Sequence, residues 1–317
     1  MITIADIWAA RPIVMEAAIR TPLVRLQLPE ASTHSAEIYL KLENLQPIGS
    51  FKLRGAQNAL RSAPPGTLAR GVLVASAGNM AQGVAYVAQR LGVRATIIAP
   101  DTAPETKQRA VERLGGEFVR VPRERWWRTF QERTFPGYEE RAFVHAFDDD
   151  LVMAGNGTIG LEILEDLPDV DTIVVPFGGG GLAAGIATAT RALKPATRVF
   201  AAEVATAAPV SASFAAGEAT QVPFEPSFVD GIGSTAVFPR MWELASNLLD
   251  GALVASVDEA KAAVRLLAER QRIIAEGAAA CAVAVALAGR AGGGKVVCII
   301  SGGNIDFEVL REILAGE

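Results

Sequence analysis

Short apolar runs alternate along this chain with longer stretches in which apolar residues recur every three or four positions. Val72-Leu-Val-Ala75 has the length and character of a buried strand. After a polar, glycine-containing turn, Val84, Ala85, Ala88 and Leu91 fall on one helical face, and Gly92 stands where that helix should end. Ala95-Thr-Ile-Ile-Ala99 predicts a second strand. Pro104 to Leu114 predicts a helix, with proline near its start and Gly115 just past its end. Phe118-Val-Arg-Val121 predicts a third strand. Arg123 to Glu140 shows no clear period and is expected to be the least regular segment, with Trp126 and Trp127 serving packing. A second series follows. Thr172-Ile-Val-Val175 reads as strand, then come four glycines and an alanine-rich helix from Leu182. Arg198-Val-Phe-Ala-Ala202 and Lys295-Val-Val-Cys-Ile-Ile300 read as further strands. Strand–helix alternation of this kind predicts parallel βαβ units with right-handed crossovers, hence an α/β fold.

Composition narrows the function classes. The chain has 317 residues, enough for about two domains. Half of them are hydrophobic and the mean hydropathy is +0.27, so a large core is available. Thirty basic against 35 acidic residues leave a net charge of −5, without the basic patch of a nucleic-acid binder. Cys281 and Cys298 make no disulfide framework, which fits a reducing cytoplasm. The N-terminal segment Met1-Ile-Thr-Ile-Ala-Asp6 is acidic where a signal peptide is basic. The uncharged stretch Thr172 to Thr190 holds Pro176 and five glycines, so strand, loop and helix are expected there and not a membrane span. His34 and His145 are the only histidines, too few for a multi-histidine metal site.

Five glycine-bearing segments are candidate chemistry. Lys52 lies in Ser50-Phe51-Lys52-Leu53, after an extended apolar stretch and a Pro-Ile-Gly turn. Held against a flat ring, a lysine loses solvation, its pKa falls and it becomes an amine nucleophile; the plainer alternative is an exposed lysine opening a helix. Gly178, Gly179, Gly180 and Gly181 join a strand to a helix, where bare backbone N–H groups can close around a phosphate. The run is too dense for an ordinary turn and lacks the spacing of a dinucleotide site. Ser76-Ala77-Gly78-Asn79 also sits between strand and helix. It suits a helix cap, a carboxylate site, or both. Ser301-Gly-Gly-Asn304 closes an apolar strand, where open parallel sheets place their ligands. Glu276-Gly-Ala-Ala-Ala280 reads either as a helix start with an acid in its first turn or as part of a site.

Together these segments resemble the fold type II pyridoxal-phosphate enzymes, in particular the serine/threonine dehydratase branch. Asp148-Asp-Asp150 and Ala154-Gly-Asn-Gly-Thr158, with Asn156 in place of the family's glutamine, extend the resemblance. It runs from Thr21-Pro22 to Asn304 with the motifs in family order. It implies a tryptophan synthase β-like fold of two domains, each with a mainly parallel sheet flanked by helices. Residues 1–70 and 149–317 would form the large cofactor-binding domain and residues 71–148 a small mobile one. Lys52 would hold pyridoxal 5'-phosphate and take the substrate Cα proton, and Phe51 would lie against the ring. Asn79 would meet the ring hydroxyl, Ser301 the ring nitrogen, and Gly178 to Gly181 the phosphate. Ser76, Ala77, Gly78, Asn79 and Glu276 would bind substrate. The implied reaction converts a small-molecule β-hydroxy amino acid, such as threonine or serine, to a 2-oxo acid and ammonia.

The implied protein is a cytoplasmic homodimer with neither nucleic acid nor membrane as partner. The chain ends soon after Asn304, so the regulatory domain of biosynthetic threonine dehydratases is not expected. Departures matter too. Met80 replaces the family's usual histidine, which suits either a bulkier, less polar substrate or a packing change. At the family's divalent-cation site Glu203 and Ala207 match, but Pro209 stands where an aspartate is expected, so that site should be weakened. Ala77 replaces the serine that serves racemases as second base. The rival readings are a racemase, a β-replacement synthase, and a silent relic that binds the cofactor without turnover.

Overall fold

The computed structural model describes residues 1–28 and 35–316, so His34 lies outside the described residues. Ten strands occur among them: β1 (Leu23–Arg25), β2 (Ala36–Lys41), β3 (Val72–Ala75), β4 (Ala95–Pro100), β5 (Glu117–Val121), β6 (Ala142–Phe143), β7 (Thr172–Pro176), β8 (Arg198–Val204), β9 (Gly251–Ala255) and β10 (Gly294–Ile299). They form a six-stranded sheet ordered β1-β2-β10-β7-β8-β9 and a four-stranded sheet ordered β5-β4-β3-β6. Only the β1–β2 pairing is antiparallel. The helices are α1 (Ile4–Val14), α2 (Lys52–Arg61), α3 (Asn79–Leu91), α4 (Glu105–Arg113), α5 (Arg123–Glu132), α6 (Asp150–Asp166), α7 (Gly181–Leu193), α8 (Pro209–Ala216), α9 (Pro239–Leu248), α10 (Val257–Leu266), α11 (Gly277–Leu287) and α12 (Phe307–Ala315).

The central strands show why the parallel reading works. Every residue of β3 and of β7 is buried, as expected when helices cover both faces of a sheet. The run Gly277–Leu287 is apolar all round and correspondingly sits in the core beneath the larger sheet. The helix predicted after β3 ends as expected, with Gly92 at φ +67°.

One expectation is overturned. Arg123 to Glu140 begins with a regular ten-residue helix, α5. Its buried face is narrow, carried by Thr129 and Phe130, so charged residues dominate its sequence and mask the period. Trp126 and Trp127 do pack. Trp127 stacks on Phe130 with ring centroids 5.7 Å apart and meets Phe238 edge-on at 5.8 Å.

Helix α2 is the junction of the molecule, with α3 on one side and α6 on the other. Small residues permit both crossings. A Cβ on Gly83 would lie 3.2 Å from the Lys52 carbonyl oxygen, and one on Gly155 would lie 2.5 Å from that of Arg54. Asn156, beside this second crossing, buries both side-chain amide atoms without a partner among the described residues.

Candidate active site

The first helical residue after the Pro-Ile-Gly turn is Lys52. The turn is anchored to the end of β10: Phe51 N–H donates to the Ser301 carbonyl at 3.0 Å, and Gly303 N–H donates to the Gly49 carbonyl at 2.9 Å. Lys52 therefore enters its helix at the C-terminal edge of the parallel sheet, where such sheets bind ligands. Its Nζ donates to the Ala146 carbonyl at 2.7 Å and lies 5.1 Å from the Phe51 ring centroid. Burial lowers its pKa from 10.5 to about 8, a shift that the charge of Glu276 opposes.

Next to Ala146, the Phe147 ring lies against the glycine run. A Cβ on Gly179 would fall 1.9 Å from that ring, and one on Gly181 would fall 2.6 Å from the Phe147 carbonyl oxygen. Gly180 has φ +91°, a backbone state that only glycine adopts freely. It is the N-cap of α7, and no side chain caps that helix. The N–H groups of Gly178, Gly179 and Gly180 have no acceptor among the described residues. An uncapped helix N-terminus behind a bare glycine loop suits an anion, and the loop packs on Phe147, next to the Ala146 carbonyl that holds Lys52.

A second uncapped N-terminus faces the same cleft. The N-cap of α3 is Gly78, without a side-chain bond, so the capping expected of Ser76 or Asn79 does not occur. Ser76 Oγ instead accepts from Gly78 N–H at 3.3 Å. Asn79 Nδ2 donates to the Glu276 carboxylate at 2.9 and 3.2 Å. Glu276 is the N-cap of α11 yet does not cap it, because its carboxylate is turned toward Asn79. Burial pushes the Glu276 carboxyl above its usual range, partly offset by the Asn79 bonds. Ser301 is buried directly after β10.

The cleft thus gathers Phe51, Lys52, Asn79, the glycine run, Ser301 and Glu276 from five separate segments. Met80, by contrast, is buried in the apolar cluster with Leu53, Val84 and Ala146, a packing environment. His145 is held neutral. Burial lowers its pKa to about 4, and its Nδ1 accepts from Asp148 N–H at 2.9 Å.

Glu203 is occupied elsewhere. Its two carboxylate oxygens accept from Val210 N–H at 2.9 Å and Ser211 N–H at 2.7 Å, at the start of α8, where Pro209 takes the first helical position. Burial raises its carboxyl to about 7. A divalent cation needs several oxygen ligands, and here each Glu203 oxygen already accepts a backbone N–H.

Sequence reading missed a buried charge cluster beneath Lys52. The Arg54 guanidinium bonds Glu43 and Glu162, and Lys41 Nζ meets Glu162 at 2.7 Å. The sequence signal was present in the charges set among apolar residues, but their partners lie far apart along the chain.

A family model described as "Pyridoxal-phosphate dependent enzyme" matches residues 14–302. The L-threonine ammonia-lyase of Geobacter sulfurreducens is 43% identical over 284 residues, 87% of this chain and 69% of that protein. The catabolic L-threonine dehydratase TdcB of Staphylococcus aureus is 36% identical over 97% of this chain and 90% of its own length. Among solved structures, maize serine racemase superposes with a TM-score of 0.90 at 28% identity, covering 99% of this chain and 97% of that one.

Proposed function

The chain belongs to the family of pyridoxal-phosphate dependent enzymes, and from that premise we propose that it is an ammonia-lyase that converts L-threonine or a related β-hydroxy amino acid to a 2-oxo acid and ammonia. The observations that carry this reading are the desolvated Lys52 amine and the two helix N-termini, of α3 and α7, left without side-chain caps. The residues present fit the cofactor. Lys52 would anchor it, the N–H groups of Gly178 to Gly181 would hold its phosphate, Ser301 would face its ring nitrogen, and Phe51 and Asn79 its ring and ring hydroxyl. When bound, pyridoxal phosphate supplies the electron sink that makes an amino acid Cα–H acidic. The start of α3, Ser76 to Asn79, would receive the substrate carboxylate, with Glu276 fixing Asn79 from behind. Lys52, once freed, is the base for the Cα proton, suited by its lowered pKa.

Dehydration is favoured over racemisation by Ala77. Inversion needs an acid/base group on the face opposite Lys52, and a methyl group cannot serve; losing such help costs roughly 10²- to 10⁴-fold. With L-threonine and L-serine supplied to the purified protein, 2-oxo acid should form well ahead of any D-amino acid. Inversion that keeps pace with oxo-acid release would overturn the assignment.

Two further outcomes follow from the geometry. The neutral amine of Lys52 is the nucleophile, and its proton leaves near pH 8. Cofactor uptake by the cofactor-free protein should therefore quicken about fivefold from pH 7 to 8 and level off soon after; a rate still climbing at pH 10 would contradict the lowered pKa. Because both oxygens of Glu203 are engaged by α8, adding Mg²⁺ or a chelator should change turnover by less than about twofold. Strong activation by Mg²⁺, reversed on chelation, would show that reading to be wrong.

Residues 71–148 are proposed to close over the substrate as one unit. The Lys107–Asp230 ion pair and the Asn79–Glu276 bonds, each joining that segment to the rest, suit such closure. Ile19, Leu45, Ile274 and Phe307 are exposed apolar side chains that suit a homodimer. The two buried free thiols fit a cytoplasmic setting, and no helix among the described residues is long and apolar enough to cross a membrane.

A further inference from the structure

Asn304 has no role in the chemistry proposed above, yet its amide joins three chain segments. Its Nδ2 donates to the Ile48 carbonyl at 2.9 Å and to Asn79 Oδ1 at 2.8 Å. An amide nitrogen carries two protons, so both are used. Its Oδ1 lies against Gly49, where a Cβ would come within 2.6 Å and where φ is +71°. Asn79 in turn donates through Nδ2 to Glu276.

The direction of this chain of bonds has a physical cause. It begins at a backbone carbonyl, which only accepts, and ends at a carboxylate, which when ionised only accepts. Asn304 must present its NH₂ to Ile48, and Asn79 must present its own to Glu276. Flipping the Asn79 amide would set oxygen against carboxylate and NH₂ against NH₂. The Oδ1 of Asn79 is thereby taken, and one N–H can serve both Glu276 oxygens. What Asn79 has left for the cleft is a single N–H donor.

We propose that Asn304 is a positioning residue. It holds Asn79 as a donor toward the cofactor's ring oxygen, and it ties the start of α3 to the turn that delivers Lys52. The inference rests on the cofactor assignment above. A donor held at that oxygen favours its anionic form, so losing the alignment makes the ring oxygen more basic.

The test uses the holoenzyme, with Asn304→Leu to remove the donors at similar volume and Asn304→Asp as the isosteric second variant. The visible absorbance of the bound cofactor should titrate about one pH unit higher in either variant. Cofactor dissociation and kcat should each worsen about tenfold, the scale of one lost hydrogen bond. With Asn79→Ala already present, Asn304→Leu should add little further. An unshifted titration in both variants, or an equal loss with and without Asn79, would overturn the proposal, since Asn304 would then act through Ile48 alone. The titration is read without turnover. A wild-type protein inactive on threonine would therefore count against the proposed function and leave this test intact.

Discussion

Replacing Lys52 by alanine is expected to abolish 2-oxo acid formation and to leave no residue-bound cofactor after borohydride reduction. The side chain is assigned two tasks, anchor and base, and loss of the base alone is worth roughly 10²- to 10⁴-fold. Its one hydrogen bond, to the Ala146 carbonyl, contributes little to folding, so the variant should melt close to the wild type. The combination is diagnostic, because a merely structural lysine would cost stability and leave chemistry. Mass spectrometry of the reduced protein locates the adduct. An adduct on another lysine, or undiminished turnover, would remove Lys52 from the mechanism.

Arg54→Ala should be the most damaging single change to the fold outside the apolar core. The side chain is completely buried. Its Nε and Nη2 donate to Glu43, each at 2.8 Å, and its Nη1 and Nη2 donate to Glu162 at 2.7 and 2.9 Å. Burial pushes the Glu43 carboxyl up, but the charge and hydrogen bonds of Arg54 bring it below the usual range. With Lys41 the cluster holds two positive and two negative charges, and removing Arg54 leaves two buried carboxylates to one lysine. Breaking such a pair typically costs about 3–5 kcal/mol, a large share of the 5–15 kcal/mol typical of a domain. Arg61→Ala, which breaks an exposed pair with Glu16, should cost less than about 1 kcal/mol. The comparison is made by denaturant unfolding. Equal small losses at both positions would show that the buried cluster adds nothing beyond a surface pair.

Local sequence determined a good deal of this protein. The strands β3, β4, β5, β7, β8 and β10 and the helices α3, α4 and α7 follow from apolar period and glycine punctuation, because those elements bury whole faces. The glycine-bearing junctions that build the cleft were legible for a related reason: glycine runs mark backbone with no room for a side chain, as at Gly179 against Phe147, or with a positive φ, as at Gly180. The marginal elements were not legible. β1 and β6 are two or three residues long, too short for any period, and α5 shows the core little apolar surface.

What tertiary structure alone decided is the pairing of polar groups. Asn79, Glu276 and Asn304 lie up to 225 residues apart in sequence and meet in one hydrogen-bonded chain. Arg54 meets Glu43 and Glu162 across separations of 11 and 108 residues. Nothing local marks these partners, since an acid near a helix start satisfies helix electrostatics equally well when it faces water. Glu276 shows the difference. Its position fitted a favourable first-turn acid, but packing of α3 against α2 at Gly83 brings Asn79 within reach and turns the carboxylate away from its own helix. Apolar burial is non-directional and can be read from a pattern, whereas a buried hydrogen bond exists only once the fold has placed both of its ends.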